Sequence, residues 1–209
     1  MDIKAFVLHH TATGIGQKGD GSDIVQSIGQ YAYRQSDGRF QHFYHRMVGP
    51  LGHIYASLPW ETVAPHCGID AGNRTPHPSG VNNQNSVAIC CIGNFQVNRM
   101  PEAQYQGLLK VCNEAKKRYP KAFFKLHREL VATACPGQYF PHERLFFDIN
   151  RAQKKIVDIP SDAWFAKAVQ YCLDQKLMSL DENQRFHPHQ ALSRAEMAQV
   201  LFNLRSHLK

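Results

Sequence analysis

Two histidines and one cysteine, widely separated in the chain, are the residues best suited to catalytic chemistry. His9 lies in the run 6–14 (FVLHHTATG), His127 ends the run 123–127 (FFKLH), and Cys135 follows eight residues later, just before Pro-Gly. Two imidazoles and one thiolate form a zinc set with three protein ligands, which leaves a fourth position for water. The alternative is a chance combination among twelve histidines, with His127 on a surface loop and Cys135 a buried thiol.

The adjacent histidines His9 and His10 cannot both serve one site. They end a strand-like run, and adjacent side chains on a strand point to opposite faces of the sheet. At most one of the two therefore faces a metal, and the other is left for packing or a hydrogen bond on the far side.

An α/β sheet is the architecture that would bring such distant residues together. Strand-like runs occupy residues 3–8, 42–49, 53–58, 86–93 and 123–127. The second and third resemble a hairpin, and a helix with an apolar stripe begins at Pro101-Glu102. Strands alternating with helices predict an α/β domain with a mixed central β-sheet flanked by helices. If the runs 3–8 and 123–127 are parallel neighbours, their ends place His9 beside His127.

The composition changes near residue 155 and indicates a second, smaller unit. Two helical patterns follow the change, and the second opens with Ser193-x-x-Glu196, a capping box. We predict one domain over 1–154 and a small all-α module over 159–209. A unit of about 50 residues is small for an independent core, so we expect it to dock or to self-associate as a homo-oligomer.

Charge and composition restrict the partners. The formal net charge of +7 suits a polyanion, either nucleic acid or anionic cell wall. Zinc-finger spacing, RNP-type motifs and long basic runs are absent from the sequence, so we predict no nucleic-acid partner. Apolar runs stay far below the ~20 residues that span a bilayer, so we predict no membrane partner. The N-terminus shows no secretory pattern, and we expect synthesis in the cytoplasm with the six cysteines as thiols.

Five motifs resemble, in order, those of the zinc-dependent N-acetylmuramoyl-L-alanine amidases of type 2. Relatives of this family include phage endolysins and animal peptidoglycan recognition proteins. The motifs are FVLHHTATG (6–14), YHRMVGPLGHIY (44–55), HCG (66–68), SVAICCIGNF (86–95) and HRELVATACPG (127–137). The second departs from the family, because Pro-Leu-Gly-His stands where an Asp-Gly turn is usual. The resemblance implies hydrolysis of the amide between N-acetylmuramic acid and the L-alanine of the stem peptide in peptidoglycan.

The resemblance also implies roles for individual residues. It assigns Zn²⁺ to His9, His127 and Cys135, which leaves His10 to the opposite face of the strand. Tyr44 matches the catalytic tyrosine of the family. Thr133 stands where the recognition-protein branch has threonine and other members have lysine. Both hydroxyls are expected to supply or orient a donor for the oxyanion.

Two further residues are assigned by the resemblance to the substrate groove. His66, in the His-x-Gly motif, is expected to contact substrate or to support the site from behind. Asn94 follows the strand 86–93 and is expected either in the groove or in a turn.

The C-terminal unit resembles an S-layer homology module over about 159–206. The matching segments are WFAKA (164–168), FHP (186–188) and LSRAE (192–196), with Gln184 where the family has glycine. Such modules bind anionic cell-wall polymers, and usually several act together. Trp164 and Arg194 are the residues expected to bind the polymer.

These features together predict a cell-wall amidase of the phage endolysin type, which acts on the wall after release during lysis. One alternative is a peptidoglycan receptor without catalysis. The other is a cytoplasmic amidase that recycles wall fragments. Cys135 argues against the recycling enzymes, which use aspartate as third ligand, and the wall-binding tail argues against them as well.

Overall fold

The computed structural model describes residues 2–69, 77–153, 156–160 and 162–205. The chain divides into two compact units, Met1–Ile149 and Asn150–Lys209. Within the described ranges, helices are too short or too polar to cross a membrane.

A mixed sheet of five strands forms the centre of the first unit. The strands are β1 (Ala5–His10), β2 (Arg46–Val48), β3 (Ile54–Ala56), β4 (Ser86–Cys91) and β5 (Phe123–Leu126). Their order in the sheet is β3-β2-β4-β1-β5. β1 runs parallel to both β4 and β5, β2 runs parallel to β4, and β3 pairs antiparallel with β2. The predicted α/β fold with a mixed central sheet is confirmed.

Three helices and one short 3-10 turn belong to the same part of the chain. The helices are α1 (Ser22–Gln35), α2 (Glu102–Arg118) and α3 (His142–Gln153), and the turn covers His127–Glu129. The helix α3 was not predicted from the sequence, although Leu145 and Ile149 are four residues apart and both are buried.

The two faces of β1 belong to different hydrophobic clusters. Phe6 and Leu8 belong to a large cluster that includes residues of α2 and α3. Ala5 and Val7 point the other way, into a smaller cluster under the loops. The large cluster contains Val87, Ile89, Leu108, Val111, Leu145 and Ile149, and the smaller one contains Cys67, Ile69, Val81 and Leu130. Strand alternation therefore places His9 on the face of Ala5 and Val7.

The turn between β2 and β3 is the position where the sequence departs from the family pattern. Gly52 has a φ of 85°, in the left-handed region that favours glycine. The turn also lies directly against α2, where a Cβ on Gly107 would come within 2.6 Å of the Gly52 carbonyl oxygen. Gln104 fixes this approach, because its side-chain amide donates to the carbonyl oxygens of Val48 and Ile92. The turn thus packs on α2, which lies on the opposite face of the sheet from His9.

The second unit contains the helices α4 (Ala166–Asp174) and α5 (Arg194–Arg205). The predicted capping box at the start of α5 is confirmed. The Glu196 carboxylate accepts a hydrogen bond from the Ser193 N–H at 2.8 Å, and the Ser193 hydroxyl accepts one from the Glu196 N–H at 3.2 Å. Several apolar side chains of α5 are exposed, with Leu201 at 58% and Phe202 at 68%.

Candidate metal centre

The parallel pairing of β1 with β5 brings His9 and His127 side by side. Leu8 lies opposite Leu126, so the next residue of each strand stands at the same level of the sheet. The two imidazole centroids are 4.5 Å apart. Cys135 approaches from the loop that follows β5, and its Sγ lies 3.8 Å from His9 Nδ1. The ligand atoms of the three residues all lie within 4.8 Å of one another.

Backbone and guanidinium contacts hold the cysteine loop in place. The Arg128 N–H donates to the Cys135 carbonyl at 2.9 Å, and its guanidinium donates to the Gly137 carbonyl at 2.9 Å. The Cys135 sulfur accepts the backbone N–H of His10 at 3.4 Å. The sulfur is therefore tied to the end of β1, directly beside His9.

The donor set fits a zinc ion. Tetrahedral zinc with bonds of about 2.1 Å to nitrogen and 2.3 Å to sulfur holds those two atoms about 3.6 Å apart. The observed separation of 3.8 Å between Cys135 Sγ and His9 Nδ1 is close to that value. Among the residues that the structure describes, buried His127 Nε2 has no hydrogen-bond partner, while the His127 ring is hydrogen-bonded to the backbone of Cys67. A buried nitrogen without a partner is costly unless it binds a ligand.

Burial sets the protonation states of these residues. It lowers the pKa of His9 well below its ordinary value, and the neighbouring His66 and His127 lower it further. Burial likewise lowers the pKa of His127, so both imidazoles are neutral at pH 7 and able to bind a metal. Burial raises the pKa of the Cys135 thiol to about 11, against the opposing effect of the His10 N–H. A thiolate at this position needs a cation beside it.

His10 points to the opposite face of β1, as strand alternation requires. Its Nδ1 accepts the backbone N–H of Phe95 at 3.1 Å, and its ring lies 6.1 Å from the ring of Phe95. His9 is thus a candidate ligand, whereas His10 anchors the loop after β4.

Tyr44 lies beside His9, with ring centroids 5.3 Å apart. Burial raises the pKa of Tyr44 well above its ordinary value of 10, and the thiols of Cys90 and Cys135 raise it further. The phenol is therefore protonated at neutral pH, and its O–H remains a donor.

Thr133 and Asn94 both make local contacts. The exposed Thr133 hydroxyl accepts the Cys135 N–H at 3.2 Å, which connects it to the cysteine loop. The Asn94 side-chain oxygen accepts the Gln96 N–H at 3.1 Å, as in the turn that the sequence left as one alternative. Asn94 is half-buried in that turn.

His66 lies on the side of the His9 ring away from Cys135. Its side chain is only 6% exposed. Its Nδ1 is 3.1 Å from His9 Nε2, and its Nε2 is 3.1 Å from the Ser86 hydroxyl. Sequence reasoning did not single out Ser86, although a serine that opens an otherwise apolar strand was an available signal.

Trp164 and Arg194 stand in the second unit as exposed side chains. The indole of Trp164 is 92% exposed and meets the Phe165 ring edge-on, with centroids 5.5 Å apart. Arg194 is the first residue of α5 and is also exposed. Both are accessible to a polymer.

Comparison with known families matches both parts of the chain. Residues 1–138 match the N-acetylmuramoyl-L-alanine amidase family, and residues 155–198 match the S-layer homology domain. Both matches confirm the resemblances seen in the sequence. A peptidoglycan-recognition protein of Drosophila simulans is 25% identical over 147 residues, which cover 68% of this chain and 73% of that protein.

Solved structures with a similar fold include an amidase and an endolysin. The N-acetylmuramoyl-L-alanine amidase LysC from Clostridium intestinale URNW has a TM-score of 0.58 and 21% identity, and covers 72% of this chain and 87% of its own. The Ph2119 endolysin from Thermus scotoductus MAT2119 bacteriophage Ph2119 has a TM-score of 0.52 and 24% identity, and covers 69% and 83%. At this level of identity the likeness establishes the fold.

Proposed function

Because the chain belongs to the N-acetylmuramoyl-L-alanine amidase family and carries a C-terminal S-layer homology domain, we propose that it is a zinc-dependent peptidoglycan amidase. The bond cleaved is the amide between N-acetylmuramic acid and the L-alanine of the stem peptide. The observation that carries the proposal is the convergence of His9, His127 and Cys135, whose ligand atoms lie within 4.8 Å of one another.

His9, His127 and Cys135 are the residues that would hold the zinc ion. When bound, zinc supplies Lewis-acid polarisation of the amide carbonyl and a water acidified to near-neutral pH. With two neutral imidazoles and one thiolate around a divalent cation, the site carries a net positive charge. That charge favours the carbonyl oxygen as it becomes negative during attack.

Tyr44 is proposed to donate its O–H to that oxygen. Its ring lies beside His9, and burial raises the pKa of its phenol, so the proton is retained at neutral pH. The Thr133 hydroxyl accepts the Cys135 N–H and stands exposed beside the cysteine, where it can orient the carbonyl or the leaving amine. Hydrolysis places the hydroxyl of water on the muramic acid carbonyl carbon and a proton on the alanine nitrogen.

The S-layer homology domain is proposed to bind an anionic cell-wall polymer. Exposed Trp164 offers a flat surface for sugar rings, and the Arg194 guanidinium suits carboxylate or phosphate groups. Only one copy of this domain is present in the sequence, and α5 exposes apolar side chains. We propose that chains associate through this domain to complete the polymer site.

We further propose that the enzyme acts on the cell wall during lysis, the role that the name endolysin gives to the Ph2119 protein. A recycling role in the cytoplasm fits less well, since the module for wall binding would have no polymer to hold. A second candidate is a peptidoglycan receptor without catalysis, favoured by the relationship to the peptidoglycan-recognition protein of Drosophila simulans. Binding alone does not require three metal-ligating side chains with Tyr44 beside them.

Digestion of purified peptidoglycan separates these functions. The full-length protein is incubated with cell walls, with and without a metal chelator, and new N-terminal alanine amines are counted. We expect release that the chelator abolishes and added zinc restores. If the zinc-loaded protein binds walls but releases no N-terminal alanine amines, it is a receptor rather than an enzyme.

A further inference from the structure

The dipeptide His66-Cys67 contacts both candidate histidine ligands from behind. His66 Nδ1 lies 3.1 Å from His9 Nε2, on the side of the ring away from the Cys135 sulfur. The backbone carbonyl of Cys67 accepts a hydrogen bond from the His127 ring. One short segment therefore supports two ligands that come from different strands.

The hydrogen bonds behind His9 form a chain with a fixed direction. The chain ends at the Asn82 carbonyl, which accepts from the Ser86 hydroxyl at 2.5 Å and has no proton to give. The Ser86 oxygen is then free to accept from His66 Nε2, 3.1 Å away, and this leaves a lone pair on His66 Nδ1. That lone pair accepts from His9 Nε2–H. His9 Nδ1, the nitrogen that faces Cys135, consequently carries a lone pair suited to a metal.

Asn83 holds the dipeptide itself in place. Its side-chain oxygen accepts the backbone N–H of His66 at 3.1 Å and that of Cys67 at 3.0 Å. Asn83 is buried, and it follows directly after Asn82, whose carbonyl ends the chain of hydrogen bonds. The segment before β4 thus fixes both the backbone and the side chain of His66.

We propose that His66-Cys67, clamped by Asn83 and anchored through Ser86, is a positioning element that sets the tautomer of His9 and the orientation of both histidine ligands. Groups that hydrogen-bond metal-ligating histidines orient the rings and raise metal affinity. The inference rests on the proposed zinc site, and it gives His66 a role separate from the substrate.

Two substitutions at His66 test the direction of the chain. His66→Gln places an amide near the Nε2 position and keeps contact with Ser86, but it presents no acceptor to His9. His66→Asn places its carbonyl oxygen near the Nδ1 position and keeps the acceptor. We expect H66Q to weaken zinc binding about 10- to 100-fold, and H66N to stay within about threefold of wild type.

The measurement is the zinc dissociation constant of the full-length chain, by competition with a chromophoric chelator. The d–d absorption bands of the Co²⁺-substituted protein report ligand geometry independently, and we expect H66Q to change them. His142→Gln is the control, because the half-buried His142 ring contacts the Phe140 carbonyl and the Phe146 ring at the start of α3. We expect H142Q to bind zinc within about twofold of wild type.

Two further variants extend the test in case H66Q does not fold. Ser86→Ala removes the acceptor that sets the tautomer of His66, a constraint that an asparagine amide at position 66 does not need, and Asn83→Ala removes the clamp, so both are expected to weaken zinc binding. Wild-type affinity in all three folded variants, or equal weakening in H66N and H66Q, would overturn the positioning role while leaving the zinc site intact. A wild-type chain that binds no zinc would overturn both.

Discussion

Burial controls the protonation of the side chains around the candidate metal centre. It lowers the pKa of His9 and His127, which keeps both imidazoles neutral, and it raises the pKa of Tyr44, which keeps the phenol protonated. A thiolate at Cys135 is disfavoured by the same burial. The site is therefore arranged so that a bound cation would stabilise the Cys135 thiolate, which burial disfavours.

Tyr44→Phe removes the proposed donor to the oxyanion and the hydrogen bond of its hydroxyl with the Cys90 thiol, while the ring still packs beside His9. We expect kcat to fall about 10²- to 10³-fold, as for the loss of one oxyanion donor, with zinc affinity unchanged. Steady-state kinetics on soluble muramyl peptides measure the loss. Tyr33→Phe, an exposed tyrosine on α1, is the control. If Y44F retains full activity, the Tyr44 hydroxyl is not the donor to the oxyanion.

Cys135→Ala removes one of the three candidate ligands. We expect zinc affinity to fall by more than about 100-fold, beyond the effect of any supporting residue, and activity to be lost with it. Metal content after dialysis and activity on peptidoglycan measure the two losses. Cys172→Ala, in the second unit, should retain both. If C135A still binds one zinc ion per chain, Cys135 is not a ligand of the metal.

At the scale of elements, the register between β1 and β5 creates the site. The sequence was sufficient to predict the two strands, because apolar runs and strand periodicity are local properties, but β1 extends one residue past His9 and β5 ends one residue before His127. The sequence was not sufficient to predict the contact of His66 with His9, since the two residues are 57 positions apart and His66 lies in an irregular segment between β3 and β4. The same limit applies to α3, whose apolar pattern lies in a segment for which no element was predicted.

The His45 ring connects β4 to the irregular segment that holds Thr62, and it contributes to the dependence of stability on pH. Its Nε2 donates to the Thr62 carbonyl, and its Nδ1 accepts the Ala88 N–H on β4. Burial lowers the pKa of His45 to about 4, whereas an unfolded histidine titrates near 6.5. The unfolded state therefore binds the proton first, and this site costs about 1.4 kcal/mol of stability per pH unit as pH falls from 6.5 to 4.

His45→Gln removes that titration and one histidine from the core. We expect a lower free energy of unfolding at pH 7.5 than in wild type, but a shallower loss of stability between pH 6.5 and 4. Urea unfolding at a series of pH values measures how the free energy of unfolding changes with pH in wild type and in H45Q. The control His53→Gln, at an exposed position, should retain the wild-type dependence. An H45Q slope equal to wild type would show that this ring does not contribute to the acid sensitivity.

At the scale of the whole molecule, a basic chain combines two kinds of unit. The net charge of +7 is suited to anionic walls, and long-range attraction of this kind weakens as salt rises. The family of each unit was predictable from sequence because motif order is preserved over long stretches. The state of association was not, since exposed apolar side chains on α5 do not identify what covers them.

Arg194→Gln tests the wall-binding role of the second unit. We expect about tenfold weaker binding to isolated walls, because a guanidinium paired with an anionic group contributes about 1.5 kcal/mol or more. Sedimentation of full-length protein with walls measures binding at two salt concentrations. Lys167→Gln makes the same change of charge at an exposed position of α4 and should bind within about twofold of wild type. If both variants lose the same amount of wall binding, the binding depends on net charge and not on a specific site at Arg194.

The central claim is that this chain hydrolyses one particular amide bond, and isotope labelling tests it most directly. Zinc-loaded full-length protein is incubated with a defined muramyl peptide in water enriched in ¹⁸O, and the products are analysed by mass spectrometry. We predict a peptide that begins with a free L-alanine amine, and a muramic acid whose lactyl carboxylate carries ¹⁸O. If the substrate stays intact after incubation with zinc-loaded protein, or if ¹⁸O appears in any other carboxylate, the chain does not hydrolyse this amide bond.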